Sequence, residues 1–180
     1  ERAGLVFTVR ENSEYTELVG KMEQYGLTFQ IEFDRVSESL QLTRPQNPIE
    51  PYPYLSREIS ALHPDGHVLA GTLTIPNGEG PFACAVLIGG SGQQDRNETL
   101  MGHQPFLIIS DYLTRKGIAV LRFDDRGVGG SVMENPDELQ HATSEDFASD
   151  AIIMVRAARL HSGIDPRLIG VIGHSEGGLI

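Results

Sequence analysis

The sequence is short of cysteine, tryptophan and positive charge, and each shortage excludes a class of protein. One cysteine and no tryptophan occur in 180 residues, which excludes an internal disulfide framework. Lys and Arg number 14 against 25 Asp and Glu, and the net charge of −11 argues against a nucleic-acid-binding surface and adhesion to anionic lipid. No apolar run approaches the roughly 20 residues of a membrane-spanning helix. The remaining composition, 39% hydrophobic and 22% charged, is that of an ordinary globular protein.

The single cysteine and the first residues of the chain say little about function. Cys84 lies in an apolar run, so we predict a small core residue and not a reactive thiol. The chain starts Glu1-Arg2-Ala3-Gly4, without an initiator methionine or a leader, so we expect these residues to come from the middle of a longer protein. The sequence therefore does not identify the cellular compartment.

Residues 1–44 predict part of a β-rich domain. Apolar residues alternate with polar ones from Leu27 to Phe33, which is typical of a half-buried antiparallel strand. Further extended stretches are predicted around Phe7, over residues 15–19 and at Leu40 and Leu42. About four short strands with one apolar face are not independently robust, so we expect the end of a larger β domain.

A proline-rich segment over residues 45–55 predicts a linker. It has prolines at positions 45, 48, 51 and 53, so it should stay extended and cannot join a central strand. We place a domain boundary here, with a second domain over residues 56–180. The alternative, a Pro-rich ligand for another domain, is the weaker interpretation.

The second domain has the order of elements of an α/β fold. Strands are predicted over residues 56–62, 67–75, 83–88, 118–123 and 168–172, with helices over residues 103–116 and from Thr143 or Ser144 onward. Strand, helix, strand, helix, strand predicts a mostly parallel sheet. Ligands should then bind at the carboxyl ends of the strands, where three glycine-rich turns lie.

The two predicted helices each have an apolar face. In the first helix, Phe106, Ile109 and Leu113 should face the core, and Gly117 should end the helix. In the second helix, the buried face is predicted to hold Phe147, Ala151, Met154, Val155 and Ala158.

The turn between the first two of these strands contains two histidines, His63 and His67, around Pro64-Asp65-Gly66. A metal site would need a third ligand, and we see no candidate for it nearby. We therefore predict solvated turn residues and no metal site.

The strongest chemical signal is Gly173-His174-Ser175-Glu176-Gly177, which follows an apolar strand. This G-x-S-x-G pattern predicts a tight turn that exposes a nucleophilic serine at the end of a sheet. A serine hydroxyl is a weak nucleophile and needs a base to take its proton. Ser175 is therefore the predicted nucleophile.

A second glycine-rich turn, Gly89–Gly92, follows an earlier strand and predicts the oxyanion hole. The backbone N–H of Glu176 should supply one donor, and the glycine loop the other, with Ser91 N–H the first choice and Gly90 the next. A dinucleotide or phosphate loop is the alternative, but the G-x-G-x-x-G spacing and a following lysine are both missing.

Other polar residues near the strand ends are weaker candidates. Asp124 and Asp125 lie beside Arg126, and ion pairing and turn formation explain them better than acid–base chemistry does. His174 should point away from its neighbour Ser175. The remaining histidines, at positions 103, 141 and 161, have no evident reason to reach Ser175.

Four segments together resemble the α/β-hydrolase superfamily. They are Gly89–Gly92 with Gln93-Gln94-Asp95-Arg96, Asp124-x-Arg126-Gly127-x-Gly129-x-Ser131, Asp165-Pro166, and Gly173-His174-Ser175-Glu176-Gly177-Gly178. The likeness is greatest to bacterial esterases with a preceding β-rich domain, of the serine aminopeptidase-like or dienelactone hydrolase-like kind. It implies hydrolysis of small carboxylic esters through a serine acyl-enzyme, with no metal and no organic cofactor.

In that superfamily an acid and then a histidine follow the nucleophile in sequence. We expect both, and the lid, beyond residue 180, so that this chain would be the N-terminal part of a longer enzyme, would associate with the C-terminal half and would be nearly inactive alone. A peptidase or thioesterase of the same fold is the alternative within enzymes. A non-catalytic binding or assembly protein is the alternative of another class.

Overall fold

The computed structural model describes residues 6–12, 14, 16–24, 26–35 and 42–180. The chain divides between Gln41 and Leu42 into two compact units. Residues 45–55 group with the second unit, where the Asn47 side-chain amide donates to the carbonyl of Gly102 at 2.7 Å. The linker and the domain boundaries at 44 and 56 stay predictions.

The first unit is an antiparallel sheet of strands β1 (Val6–Glu11), β2 (Glu17–Gln24) and β3 (Leu27–Asp34), in that order. The predicted strand from Leu27 to Phe33 is confirmed, but only Ile31 of its apolar residues is half-buried, and the others are exposed, with Leu27 at 60% and Phe33 at 48%. Leu42 lies outside the described strands, and positions 15 and 40 lie outside the described residues.

The second unit is built on one five-stranded sheet. Its strands are β4 (Leu55–Leu62), β5 (Val68–Ile75), β6 (Phe82–Ile88), β7 (Ala119–Phe123) and β8 (Ile164–Gly173), in the spatial order β4-β5-β7-β6-β8. Strands β7, β6 and β8 are parallel, and the β4–β5 hairpin adds antiparallel pairs at the β7 edge. The α/β class is confirmed, and the sheet is mixed because the hairpin extends it.

Helix α2 (Ser144–Leu160) begins where the sequence predicts. Thr143 is its N-cap residue, and the Asp146 carboxylate at the third helical position accepts hydrogen bonds from the Thr143 backbone N–H and hydroxyl, at 2.8 and 2.7 Å. Ala151, Met154 and Ala158 are buried, as predicted, together with Asp150, whereas Phe147 and Val155 are only half-buried.

Helix α1 (Pro105–Arg115) buries Phe106 as predicted, but Ile109 is 36% exposed, so that assignment is wrong. The buried positions are instead Ser110 and Thr114, whose hydroxyls bond Thr74 Oγ1 on β5 at 3.0 and 2.6 Å. Hydroxyl groups therefore pair between α1 and β5 where an apolar contact was predicted. No helix in the described part of the chain has the length and apolar character to cross a bilayer.

The core lies on both faces of strand β6, as its continuous apolar run predicts. Cys84 and Val86 belong to the larger core cluster, which includes Met154 of α2, and Leu87 belongs to a second cluster with Phe106 of α1. Cys84 is 3% exposed, and burial raises the pKa of its thiol to about 11. It is an inert core residue, as predicted.

The β4–β5 turn differs from its prediction. His63 and His67 are 3% and 5% exposed, so the expectation of solvated side chains is wrong. Helix α2 covers them, since His63 Nε2 bonds Ser149 Oγ and His67 Nε2 bonds Asp150 Oδ1, both at 2.8 Å. The two rings stack with their centroids 4.3 Å apart.

Candidate active site

Strand β8 ends in a strained serine. Ser175 has a φ of 52°, in the left-handed region that non-glycine residues rarely adopt. Its side chain is exposed, and it opens a short 3₁₀ helix over Ser175–Gly178. Such strain costs about 1–3 kcal/mol and is concentrated at functional sites, where the surrounding structure supports it.

Two glycines make this turn possible. A Cβ on Gly173 would lie 2.0 Å from the Gly177 carbonyl oxygen, and a Cβ on Gly177 would lie 2.4 Å from the Ile88 carbonyl oxygen. Neither position has room for a side chain. The His174 N–H also donates to the Ile88 carbonyl at 3.0 Å, so the serine turn is fixed against the end of β6.

The glycine loop after β6 contacts Ser175 directly. A Cβ on Gly90 would lie 3.2 Å from the Ser175 Cβ. Among the described residues, nothing accepts a hydrogen bond from the backbone N–H of Ser91 or of Glu176. Two free N–H groups therefore flank the serine turn. The side chain of Glu176 has its own partners, because hydrogen bonds from the Ser144 and Ser91 hydroxyls hold the pKa of its carboxyl below its usual range.

The backbone N–H of Gly90, unlike those of Ser91 and Glu176, has an acceptor. Its N–H donates to Glu98 Oε1 at 2.7 Å. The same carboxylate oxygen lies 2.9 Å from His174 Nδ1. Glu98 is 7% exposed and has a φ of 51°. It joins the loop to the residue before Ser175, and sequence reasoning missed it because no motif includes it.

The segment after the glycine loop is bound to the end of β7. Asp124, 3% exposed, accepts bonds from the Arg96 guanidinium at 3.1 and 2.7 Å and from the Gly130 N–H at 2.9 Å. Desolvation raises the pKa of Asp124, but hydrogen bonds led by Arg96 outweigh it and hold the pKa below its usual range. Asp124 is thus ion-paired with Arg96, while Arg126 pairs with Asp150.

The pKa of Asp125 is shifted in the opposite direction to that of Asp124. It is 9% exposed and accepts the Gln94 N–H at 2.8 Å. Burial, reinforced by the charges of Asp150 and Glu98, raises its pKa to about 7. With Gly90 and Glu176 it lines a small cavity of about 10 Å³, which is room for one water molecule.

All six histidines of the sequence are described, and none of them hydrogen-bonds Ser175. His103 bonds Gln46, and His141 and His161 lie at the ends of the 3₁₀ helix Pro136–His141 and of α2. His174 is held by Glu98. The described residues bring together Ser175, Gly90, Ser91 and Glu176, but no base for the serine.

No protein-family model matches the chain. Among curated proteins, Esterase EstD of Thermotoga maritima is 34% identical over 112 residues, which are 62% of this chain and 26% of EstD. The chain thus spans about a quarter of the length of this relative.

Solved structures share the fold. The α/β hydrolase GrgF from Penicillium superposes with a TM-score of 0.56 at 18% identity, over 69% of this chain and 39% of GrgF. The Pyrococcus furiosus esterase Pf2001 gives 0.54 at 20% identity, over 70% of this chain and 44% of the esterase. The chain therefore shares its fold with α/β hydrolases, and part of its sequence is similar to part of a curated esterase.

Proposed function

We propose that this protein is a serine hydrolase that cleaves carboxylic esters, with Ser175 as its nucleophile. The observation that carries the proposal is an exposed serine with positive φ, packed against a glycine loop and flanked by two N–H groups that have no acceptor among the described residues. The likeness to a relative named an esterase favours esters over amides or thioesters as substrates.

The proposed reaction has two steps. Ser175 Oγ loses its proton to a base and attacks the ester carbonyl, whose oxygen becomes an oxyanion held by the N–H groups of Ser91 and Glu176. The alcohol then leaves with the proton from the base, and water hydrolyses the acyl-enzyme by the same route. No metal or organic cofactor is needed for these steps.

Gly90 has a supporting part in this proposal. Its N–H already donates to Glu98, so Ser91 is the better loop donor to the oxyanion. Gly90 instead lets the loop backbone approach Ser175 closely, since a side chain at this position would press on Ser175. The base must be a group other than the six described histidines in their present contacts, and a peptide segment outside these 180 residues is the proposed source.

A fluorophosphonate probe tests the proposal on the protein at its full natural length. We expect covalent labelling that disappears in Ser175→Ala and persists in Ser162→Ala, an exposed serine at the end of α2. Labelling that survives in Ser175→Ala would contradict the assignment of the nucleophile. Absence of labelling in the wild type would favour a non-catalytic binding protein.

A further inference from the structure

The two proposed donors to the oxyanion, Ser91 and Glu176, use their other polar groups within the protein. The Ser91 carbonyl accepts a hydrogen bond from the Gln94 side-chain amide at 3.0 Å, and the Ser91 hydroxyl donates to the Glu176 carboxylate. The Glu176 carbonyl accepts the backbone N–H of Leu179 at 2.8 Å. Only the two backbone N–H groups of this pair have no partner among the described residues.

The Glu176 carboxylate connects three segments of the chain. It accepts the hydroxyl of Ser91, in the glycine loop after β6, and the hydroxyl of Ser144, the first residue of α2. Glu176 itself directly follows Ser175 in the serine turn. One side chain therefore joins the glycine loop, the serine turn and the N-terminus of α2.

This carboxylate acts only as a hydrogen-bond acceptor. The bonds from Ser144 and Ser91 hold its pKa below the usual range, so Glu176 is ionised at neutral pH and has no proton to donate. Both hydroxyls must then donate to it. Its contact with the first residue of a 17-residue helix also places the negative charge where helix N–H groups favour an anion.

These bonds fix the peptide group that carries the free Ser91 N–H. On one side, the N–H of Gly90 is held by Glu98 at 2.7 Å. On the other side, the carbonyl and the hydroxyl of Ser91 are both bonded. The peptide group between Gly90 and Ser91 cannot turn without breaking one of these bonds, and fixed donors are what an oxyanion requires.

From these contacts we propose that the Glu176 carboxylate is a positioning group that aligns the Ser91 N–H with its own backbone N–H toward the oxyanion. This inference rests on the proposed ester hydrolysis at Ser175. The carboxylate touches no reacting atom and acts through the Ser91 hydroxyl. Because oxyanion donors stabilise the transition state more than the bound ester, its loss should lower kcat and leave KM nearly unchanged.

The test is the steady-state kinetics of ester hydrolysis by the protein at its full natural length. Glu176→Ala should lower kcat at least about tenfold with little change in KM. Glu176→Gln should restore most of kcat, because its amide oxygen accepts one hydroxyl and its NH₂ group donates to the other. Glu145→Ala is the matched control, since it removes an exposed acid from the first turn of the same helix, and it should keep the wild-type kcat.

A double-mutant cycle with Ser91→Ala tests whether the carboxylate acts through the Ser91 hydroxyl. Ser91→Ala keeps the backbone N–H but removes the hydroxyl, so kcat should fall, and adding this change to Glu176→Ala should lower kcat no further.

Three outcomes in a wild type that hydrolyses esters would overturn this inference and leave the proposed function standing. They are an unchanged kcat in Glu176→Ala, equal losses in Glu176→Ala and Glu176→Gln, and a double variant whose loss is the product of the two single losses. A wild type that hydrolyses no ester would overturn the proposed function and this inference together.

Discussion

The Glu98 carboxylate accepts the backbone N–H of Gly90 at 2.7 Å, and this bond helps to hold the loop beside Ser175. Glu98 is buried and also contacts His174 at 2.9 Å. It therefore connects both sides of the candidate site, although it lies far from Ser175 in sequence. We regard it as a positioning residue that touches no reacting atom.

Replacing Glu98 should disturb catalysis more than substrate binding. Glu98→Ala leaves the Gly90 N–H without an acceptor, which costs about 1–3 kcal/mol of stability and loosens the loop that presents Ser91. We expect kcat for ester hydrolysis to fall about tenfold or more with a small change in KM. Glu98→Gln keeps an acceptor oxygen and should restore most of kcat. Equal losses in both variants would contradict a positioning role.

The two glycines of the serine turn, Gly173 and Gly177, should tolerate no side chain. Gly173→Ala forces a Cβ to within 2.0 Å of the Gly177 carbonyl oxygen, so we expect a loss of about 2–4 kcal/mol in the free energy of unfolding. Gly170→Ala on the same strand is the control, since its Cβ would meet nothing within 4 Å. Urea unfolding compares the two, and a similar effect of both changes would contradict the packing described for the turn.

Asp125 should make stability depend on pH. Its folded pKa of about 7 is above the unfolded value near 3.9, so between those values the folded state keeps a proton that the unfolded state has lost. Stability should therefore fall as pH rises from about 4 to about 7, by up to about 1.4 kcal/mol per pH unit from this group.

Urea unfolding at pH 5 and pH 7 measures this effect. Asp125→Asn cannot titrate and should flatten the decline, and its side-chain oxygen still accepts the Gln94 N–H. Asp137→Asn removes the same charge at an exposed position and should leave the decline as in the wild type. A decline of equal size in Asp125→Asn and the wild type would show that Asp125 is not its source.

The ion pair of Arg96 and Asp124 should be important for stability. Arg96→Met leaves a 3% exposed carboxylate without its cation, at a cost of about 3–5 kcal/mol. Arg167→Met also removes an ion pair, with Asp165, but the Arg167 side chain is 84% exposed, so we expect a much smaller loss. Thermal unfolding of both variants compares the sizes of the two losses, and equal losses would contradict this difference.

The fold was largely predictable because its signals are local. The alternation from Leu27 to Phe33, the apolar run at Val86 and the cap at Thr143 each follow from neighbouring residues, and the structure has the element predicted at each of them. The prediction for Ile109 failed because hydroxyl pairing with Thr74 replaced an apolar contact.

The contacts around the site were not predictable in the same way. Glu98 hydrogen-bonds Gly90 and contacts His174. Arg96 forms an ion pair with Asp124, and helix α2 covers His63. Each of these contacts joins segments that share no sequence pattern. Periodicity and motif spacing contain no information on such pairs. Asp65 lies between the two histidines in the sequence, but only the fold brings one donor atom of each of the three residues within 4.8 Å of the others.

Peptide mapping of the fluorophosphonate adduct most directly tests the claim that Ser175 is the nucleophile. The protein at its full natural length would be labelled, digested and sequenced by mass spectrometry. We expect one modified residue, Ser175, and no adduct in Ser175→Ala. An adduct on any other residue, or an unmodified Ser175 in protein that hydrolyses esters, would contradict it.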